Sequence, residues 1–283
     1  MKTVAISFFS RYALMQVQEG RFKTEEEAFC YFKKKGVDYG DIFTSDLKKY
    51  PLTHYVKMLQ NSGIQAGCLI SFENIAETDA RERERNIARV KEQIDNMEKN
   101  NIPMMMLAPS MENCKCLSEY ETKRELLIKG FSEVVDYAKT SGICITMENQ
   151  SLLTRPDSRI EDVRLILDCV PGLKYVLDLG NFFCIGEDVC IAYEKLKDKL
   201  VHVHCKDWKW DMFGEFVREN MPRFHGCALG DGEVPLGRLI QRLNEEKYSG
   251  NLVVEVNSAI TWEKFDSCID FLKEELTLKE RIK

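Results

Sequence analysis

No apolar run in the 283 residues approaches the about 20 that a membrane-spanning helix needs, so no such helix is expected. Positive charge is not in excess either. Lys and Arg number 40 against 46 Asp and Glu, a net charge of −6, and no basic stripe stands out. The electrostatic footprint of a nucleic-acid binder is therefore missing. The opening MKTVAISFFSR has too short an apolar stretch for a secretory signal, and no small-residue cleavage site follows. Paired cysteines are lacking as well. Eleven are scattered through the chain, several inside apolar runs such as Cys68, Cys144 and Cys205, and the Cys114–Cys116 pair has no companion at metal-site spacing. Free thiols in a reducing cytosol fit this usage better than a secreted disulfide scaffold, so a cytoplasmic protein is expected. Linkers, low-complexity segments and close repeats are also absent, which predicts a single domain over residues 1–283. What remains is an ordinary globular composition, 44% hydrophobic and 30% charged.

One pattern recurs. An amphipathic helix ends at Gly or Asn and a short apolar run follows, as in KKKGVDYGDIF, QNSGIQAGCLISF, KNNIPMMMLAP, KTSGICITMEN, VPGLKYVLDL, DKLVHVHCKD and KYSGNLVVEV. A glycine just past a helix accepts a positive φ and lets the chain turn back into a strand. With the opening TVAISFF this makes eight strands separated by helices. Thr24 with Glu27, and Ser118 with Glu121, each have capping-box spacing. Ile87, Val90, Ile94 and Met97 form one apolar stripe, and the charges of ARERERNIARVKEQ form the solvated face behind it. Short apolar strands alternating with helices mean parallel strands covered by helices. Eight such units predict a (β/α)8 TIM barrel. A doubly wound open sheet would want a Gly-rich phosphate loop after the first strand, and SFFSRYALMQ has none. The longest non-periodic stretch, Trp208 to Glu233, follows the seventh strand and is expected over the active-site face.

The carboxyl ends of barrel strands carry the chemistry. The fifth strand ends at Glu148, the sixth at Asp178 and the eighth at Glu255, while the seventh carries His202, His204, Lys206 and Asp207. Three carboxylates converging at the rim of a water-poor interior are costly unless a cation neutralises them, and one lysine does not balance three acids. Carboxylates with one imidazole and no thiolate suit one divalent ion: Mn2+, Mg2+, Co2+ or Zn2+. Alternation puts His202, His204 and Lys206 on one face. His204, nearer the rim, is the expected ligand, and His202 is an interior hydrogen-bonded histidine one layer deeper. Lys206 is placed to meet a substrate oxygen or a phosphate; if it binds phosphate together with the loop arginines Arg218 and Arg223, the substrate is a sugar phosphate. His54 is read as a surface residue of the second crossover helix. Trp208, Trp210 and Phe213 open the long loop, either as an aromatic edge for a sugar or as packing for the loop.

These pieces resemble a family. MEN, LDLGNFF, VHVHCKD, GDGEVPLGRLIQRL and VVEV, in that order over Ile143 to Asn257, look like the sugar phosphate isomerase/epimerase proteins of the xylose-isomerase-like barrel superfamily. Before residue 143 only the rhythm of strands and helices agrees. The resemblance implies metal ligands at Glu148, Asp178, His204 and Glu255, and an acid/base pair at Glu148 and Glu255 on opposite faces of the substrate. Asn181, Lys206, Asp207 and Trp208 are the expected substrate-side residues. Two positions depart from the pattern. Asn181 stands where many relatives have His, and Trp210 where ketose epimerases have Arg. The activity implied is a metal-dependent isomerase or epimerase acting on a sugar, keto-sugar or sugar phosphate through an enediolate. Keto-inositol (inosose-type) dehydration and a catalytically idle sugar-binding barrel are the alternatives. AP-endonuclease chemistry needs further histidines from the early strands, and ISFEN and MMLAPS supply none. The expected partner is a small carbohydrate, with no nucleic acid and no membrane; a homo-oligomer is left open.

Overall fold

Every apolar run singled out above forms a strand of one closed parallel barrel. The computed structural model describes residues 3–7, 9–214, 223–256 and 260–277. In chain order, β1 (Thr3–Ile6) leads into α1 (Phe9–Gln18) and α2 (Glu25–Lys34), and β2 (Val37–Phe43) into α3 (Leu52–Asn61). Then β3 (Gln65–Ser71) precedes α4 (Ala80–Lys99), β4 (Met104–Leu107) precedes α5 (Leu117–Ala138), and β5 (Cys144–Glu148) precedes α6 (Ile160–Cys169). After β6 (Lys174–Asp178) come α7 (Leu179–Cys184) and α8 (Val189–Leu196). Next are β7 (Leu200–Cys205), β8 (Asp207–Trp210), β9 (Phe224–Cys227) and α9 (Leu236–Glu245), and the series closes with β10 (Asn251–Val254) and α10 (Trp262–Thr277). The barrel order is β1-β10-β7-β6-β5-β4-β3-β2.

Alternation along the strands sorts the core into two layers. Outward residues such as Ile6, Leu177, Val203 and Leu252 pack beneath the helices, in the same core cluster as the stripe of Ile87, Val90, Ile94 and Met97 on α4. Inward residues form a second, smaller cluster of Phe43, Cys68, Ile70, Met104, Met106, Ala108 and Val176. Register sets the rest: His204 pairs with Asp178 on β6 and with Val253 on β10, so Glu255 emerges one step further along the same inner face.

The helix-closing glycines Gly36, Gly63 and Gly142 have φ of +94°, +77° and +69°. Each lies just before a strand, at the end of the barrel opposite Glu148, Asp178 and Glu255. In KYSGN the left-handed residue is Lys247 (φ 58°) rather than the glycine. Gly250 is needed for room, since a Cβ there would run into the Tyr248 ring and the Val201 carbonyl. Thr24 caps α2 by accepting from the Glu27 N–H, and Glu27 answers by accepting from Lys23 N–H. The Ser118–Glu121 capping box does not form. Helix α5 starts earlier, with Cys116 at the cap position and the Glu119 carboxylate accepting from Lys115 N–H. All eleven cysteines are free thiols. Among the described residues no helix is long and apolar enough to cross a membrane.

The stretch after β7 is not structureless at its ends. Strands β8 and β9 pair antiparallel, with Asp207 opposite Cys227 and Trp210 opposite Phe224. Local pattern could not reveal this, because the partners are far apart in sequence.

Candidate metal centre

Four strand ends deliver one cluster. Glu148, Asp178, His204 and Glu255 each present a ligand atom, all within 4.8 Å of one another, and all four residues are buried. His204 Nδ1 lies 2.6 Å from Glu148 Oε1 and 2.7 Å from Glu255 Oε2. These are close approaches without hydrogen-bond geometry: neither His204 Nδ1 nor Glu148 Oε1 has a hydrogen-bond partner. Lys206, also buried, places Nζ 2.6 Å from Asp178 Oδ2 and 2.8 Å from Glu255 Oε1.

The electrostatics follow from burial and crowding. Burial pushes the Asp178 carboxyl up to about 7, against the opposing pull of Lys206 and with the help of Glu148 and Glu255. Burial also acts to raise Glu255, but Lys206 and His204 outweigh it and hold that carboxyl below its usual range. Burial acts to lower His204, yet Glu255 and Glu148 carry it well above the ordinary imidazole range. Lys206 is raised as well, its burial overcome by Asp178 and Glu255. The cluster thus draws positive charge to itself. Three oxygen donors and one imidazole within 4.8 Å of one another, two of their atoms (His204 Nδ1 and Glu148 Oε1) without a hydrogen-bond partner, fit a divalent cation. Glu148, Asp178, His204 and Glu255 would hold it.

Around the cluster runs a brace that the sequence did not announce. Asn149 Oδ1 accepts from the Asp178 N–H at 2.9 Å and from the Tyr175 hydroxyl at 2.6 Å, while its Nδ2 donates to the Asp178 carbonyl. Asp178 also caps α7, accepting from Asn181 N–H at 2.8 Å. Asn181 turns its Nδ2 onto the Asn149 carbonyl at 2.9 Å. Its amide donor therefore ties β5 to β6. A polar residue directly after a strand-end ligand was the available signal for Asn149.

Asp207 and Trp208 both have partners within the protein. Asp207 does not face the cluster. Its Oδ1 accepts from Trp208 and Val234 N–H, and its Oδ2 from Gly230 and Gly232 N–H, all at 2.9–3.1 Å. With both oxygens occupied, Asp207 is the anchor of the loop after β9. Trp208 is buried at 2% exposure rather than forming an aromatic edge. Its ring covers Gly180, where a Cβ would come within 2.5 Å of Nε1. Trp210 and Phe213 point outward, 51% and 85% exposed. Lys206 is engaged by two of the carboxylates, so it belongs to the cluster and does not stand beyond it. Arg223 donates to the Met212 carbonyl at 3.0 Å, and Arg218 lies outside the described residues. His225 pairs with Asp211 at 3.3 Å. His54 is half-buried on α3, stacked on Tyr50.

His202 is the interior histidine expected, with Nε2 3.0 Å from Asp41 Oδ2. Asp41 itself was missed. It lies on β2 inside VDYGDIF, two residues before the strand ends, fully buried. An acid in the middle of an apolar strand was the signal.

Comparison with known proteins agrees with this architecture. Residues 31–275 match the family described as xylose isomerase-like TIM barrel, and the chain belongs to that family. An inosose dehydratase of Clostridium perfringens is 24% identical over 164 residues, 55% of this chain and 54% of that protein. The chain thus spans about half the length of the curated relatives it matches. Among solved structures, a D-tagatose 3-epimerase-like protein superposes with a TM-score of 0.74 at 18% identity, over 100% of both chains. The IolI protein with a bound zinc atom superposes with a TM-score of 0.71 at 19% identity, over 98% of this chain and 97% of that one. At such identities the structural likeness speaks for the fold.

Proposed function

We propose that this xylose isomerase-like barrel is a divalent-metal-dependent enzyme that moves a proton beside the carbonyl of a keto-sugar, sugar phosphate or keto-polyol, with epimerisation or isomerisation as the outcome. The observation that carries this reading is the convergence of Glu148, Asp178, His204 and Glu255 within 4.8 Å. A divalent ion held there supplies Lewis acidity, which polarises a carbonyl and acidifies the adjacent C–H. The two glutamates are the least covered of the four, 8% and 6% exposed against 0% for Asp178 and 1% for His204. They are therefore the members placed to reach substrate. One glutamate removes the proton to give an enediolate, and the other returns a proton from the opposite face. Return to the same carbon is epimerisation, and return to the neighbouring carbon is aldose–ketose isomerisation. Lys206, 2.8 Å from Glu255 Oε1, holds that carboxylate in orientation.

A second reading has its own support. The inosose dehydratase relatives favour loss of a β-hydroxyl as water from the same enediolate, on a keto-inositol. The structural neighbours with bound zinc and magnesium support a divalent ion without selecting one.

Elemental analysis tests the site first. One ion per chain is expected, and Asp178→Ala should lose it; unchanged metal in that variant sinks the ligand assignment. Turnover of ketoses, ketose phosphates and keto-inositols with Mn2+ in deuterated water then separates the outcomes. Deuterium beside the carbonyl of a recovered isomer supports epimerisation or isomerisation, and a dehydrated product supports the second reading. Turnover without any deuterium points to a hydride shift and overturns the two-glutamate assignment. Bound metal with no turnover on the panel would favour an idle barrel.

A further inference from the structure

His204 has two ring nitrogens, and only one of them faces the cluster. Nδ1 points to Glu148 and Glu255, while Nε2 points the other way, into the barrel, 4.0 Å from Asp41 Oδ2. A neutral imidazole that gives its Nδ1 lone pair to a cation must carry its proton on Nε2. That N–H then needs an acceptor in an interior where His204 is 1% and Asp41 0% exposed. Each of the two residues has an unmatched atom, although the Asp41 oxygen at 4.0 Å is Oδ2. His204 Nε2 has no hydrogen-bond partner, and neither has Asp41 Oδ1. Asp41 Oδ2 already meets His202 Nε2 at 3.0 Å, so Asp41 keeps acceptor capacity beyond that contact. The barrel also makes room for this carboxylate. The neighbouring position on β3 is Gly67, where a Cβ would lie 3.1 Å from Asp41 Oδ1.

We propose that Asp41 is the positioning residue of the metal centre: it accepts the Nε2 proton of His204, fixing the tautomer and ring orientation that present Nδ1 to the ion. The 4.0 Å separation is longer than a hydrogen bond, and closing it takes a shift of about 1 Å. Bonds of this kind commonly tighten when the site is loaded. His202 holds Asp41 from the other side, so the three residues form a chain from the barrel floor to the ligand cluster. Asp41 touches neither substrate nor ion in this arrangement. This inference rests on the metal reading of Glu148, Asp178, His204 and Glu255.

The test uses the zinc-loaded full chain and reads binding and spectroscopy rather than turnover. The Zn2+ dissociation constant is measured by competition with a chelator for the wild type, Asp41→Asn and Thr146→Val. The last is a buried interior change at a hydroxyl that donates to the Met105 carbonyl at 3.1 Å and lies outside the Asp41–His pair. Asp41→Asn should weaken zinc binding about 10–100-fold, the usual cost of losing such an outer partner, and Thr146→Val should leave it unchanged. Equal weakening in both would reduce Asp41 to general packing and overturn the proposal. Should Asp41→Asn fail to fold, the Nε2–H proton of His204 in the wild-type zinc form decides: a downfield, exchange-protected resonance supports an acceptor there, and a proton without those marks overturns the proposal. His204 is expected with its proton on Nε2 and its metal on Nδ1, and the reverse assignment overturns the proposal. A wild type that binds no zinc removes the metal reading and this inference together. Tight zinc in the wild type with equal affinity in Asp41→Asn removes only the role of Asp41.

Discussion

The two halves of the barrel interior are built from the same strand alternation and put it to opposite uses. On β2, β3 and β4 the inward positions include Phe43, Cys68, Ile70, Met104, Met106 and Ala108, an apolar wall that Val176 of β6 joins from below the charged cluster. On β5, β6, β7 and the strand end after β10 the matching positions are Glu148, Asp178, His204, Lys206 and Glu255, all buried. The first half lowers the free energy of the fold by removing apolar surface from water. The second concentrates carboxylates at a place where burial, opposed by Lys206 and helped by Glu148 and Glu255, drives the Asp178 carboxyl up to about 7. A barrel tolerates that concentration because the apolar half and the outer helices fix the backbone on which the charges stand. Asp41 is the exception that joins the halves. It is an acid on the apolar side, 3.0 Å from His202 and facing His204, with Gly67 beside it giving up its side chain.

If the charged half is chemistry and the apolar half is scaffold, isosteric changes should divide cleanly. The largest effect belongs to Glu148→Gln and Glu255→Gln, which keep size and one oxygen donor but abolish the base. Each should lower kcat about 10²–10⁴-fold on the true substrate, more where metal affinity also falls. The double variant should be little worse than the worse single, since both groups serve one sequence of steps. Full multiplication of the two losses would show that they act independently.

On the other side, Phe43→Ala should cost about 3–5 kcal/mol of stability, the range for deleting a buried aromatic, measured by urea unfolding. Phe43 is 4% exposed and stacks on Phe72 at 5.7 Å. The metal stoichiometry of the folded fraction should stay at that of the wild type. A loss of metal with unchanged stability would break the division between scaffold and chemistry. Removing metal makes the converse test. Chelation should lower the stability of the wild type by about 2.7 kcal/mol if the free ion stood at a hundred times its dissociation constant. Asp178→Ala should be insensitive to chelator.

Much of this division could be read from the chain, because two periodicities carry it. Helix ends followed by apolar runs located seven of the barrel strands and the opening TVAISFF the eighth, and strand ends located Glu148, Asp178, His204 and Glu255, which the fold then brings together. The period of two placed His202, His204 and Lys206 on one face. What escaped were features that depend on contacts across the barrel. Asp41 reads as one acid in a strand until β2 is known to lie across the interior from β7. Asn149 carries no signal of its own in the sequence, only its place after a strand-end ligand, until its amide and that of Asn181 are seen tying β5 to β6. Asp207 and Trp208 follow directly on the inward-facing run of β7. The chain leaves the barrel wall there to enter β8, so the alternation that located the ligands no longer applied to them.

The smallest change sharpens the division most. Met106 is 3% exposed and belongs to the apolar wall with Phe43, Cys68, Ile70 and Ala108. Replacing it with Leu conserves volume to within what a flexible core side chain absorbs, and such swaps usually cost less than about 1.5 kcal/mol. The strand hydrogen bonds of β4 to β3 and β5 are backbone bonds and survive the change. Nothing on Met106 is polar, so no donor or acceptor is left unmatched. The expected result is a melting temperature within a few degrees of the wild type and an unchanged metal dissociation constant. Asp178→Asn is the matching change in the other half, equal in size and shape. It removes one charge from the cluster and one acceptor from Lys206, which now lies 2.6 Å from Asp178 Oδ2. Metal affinity should fall steeply there while the fold holds. If Met106→Leu weakened metal binding tenfold, the apolar wall would be setting the geometry of the ligands, and the two halves would have to be treated as one site.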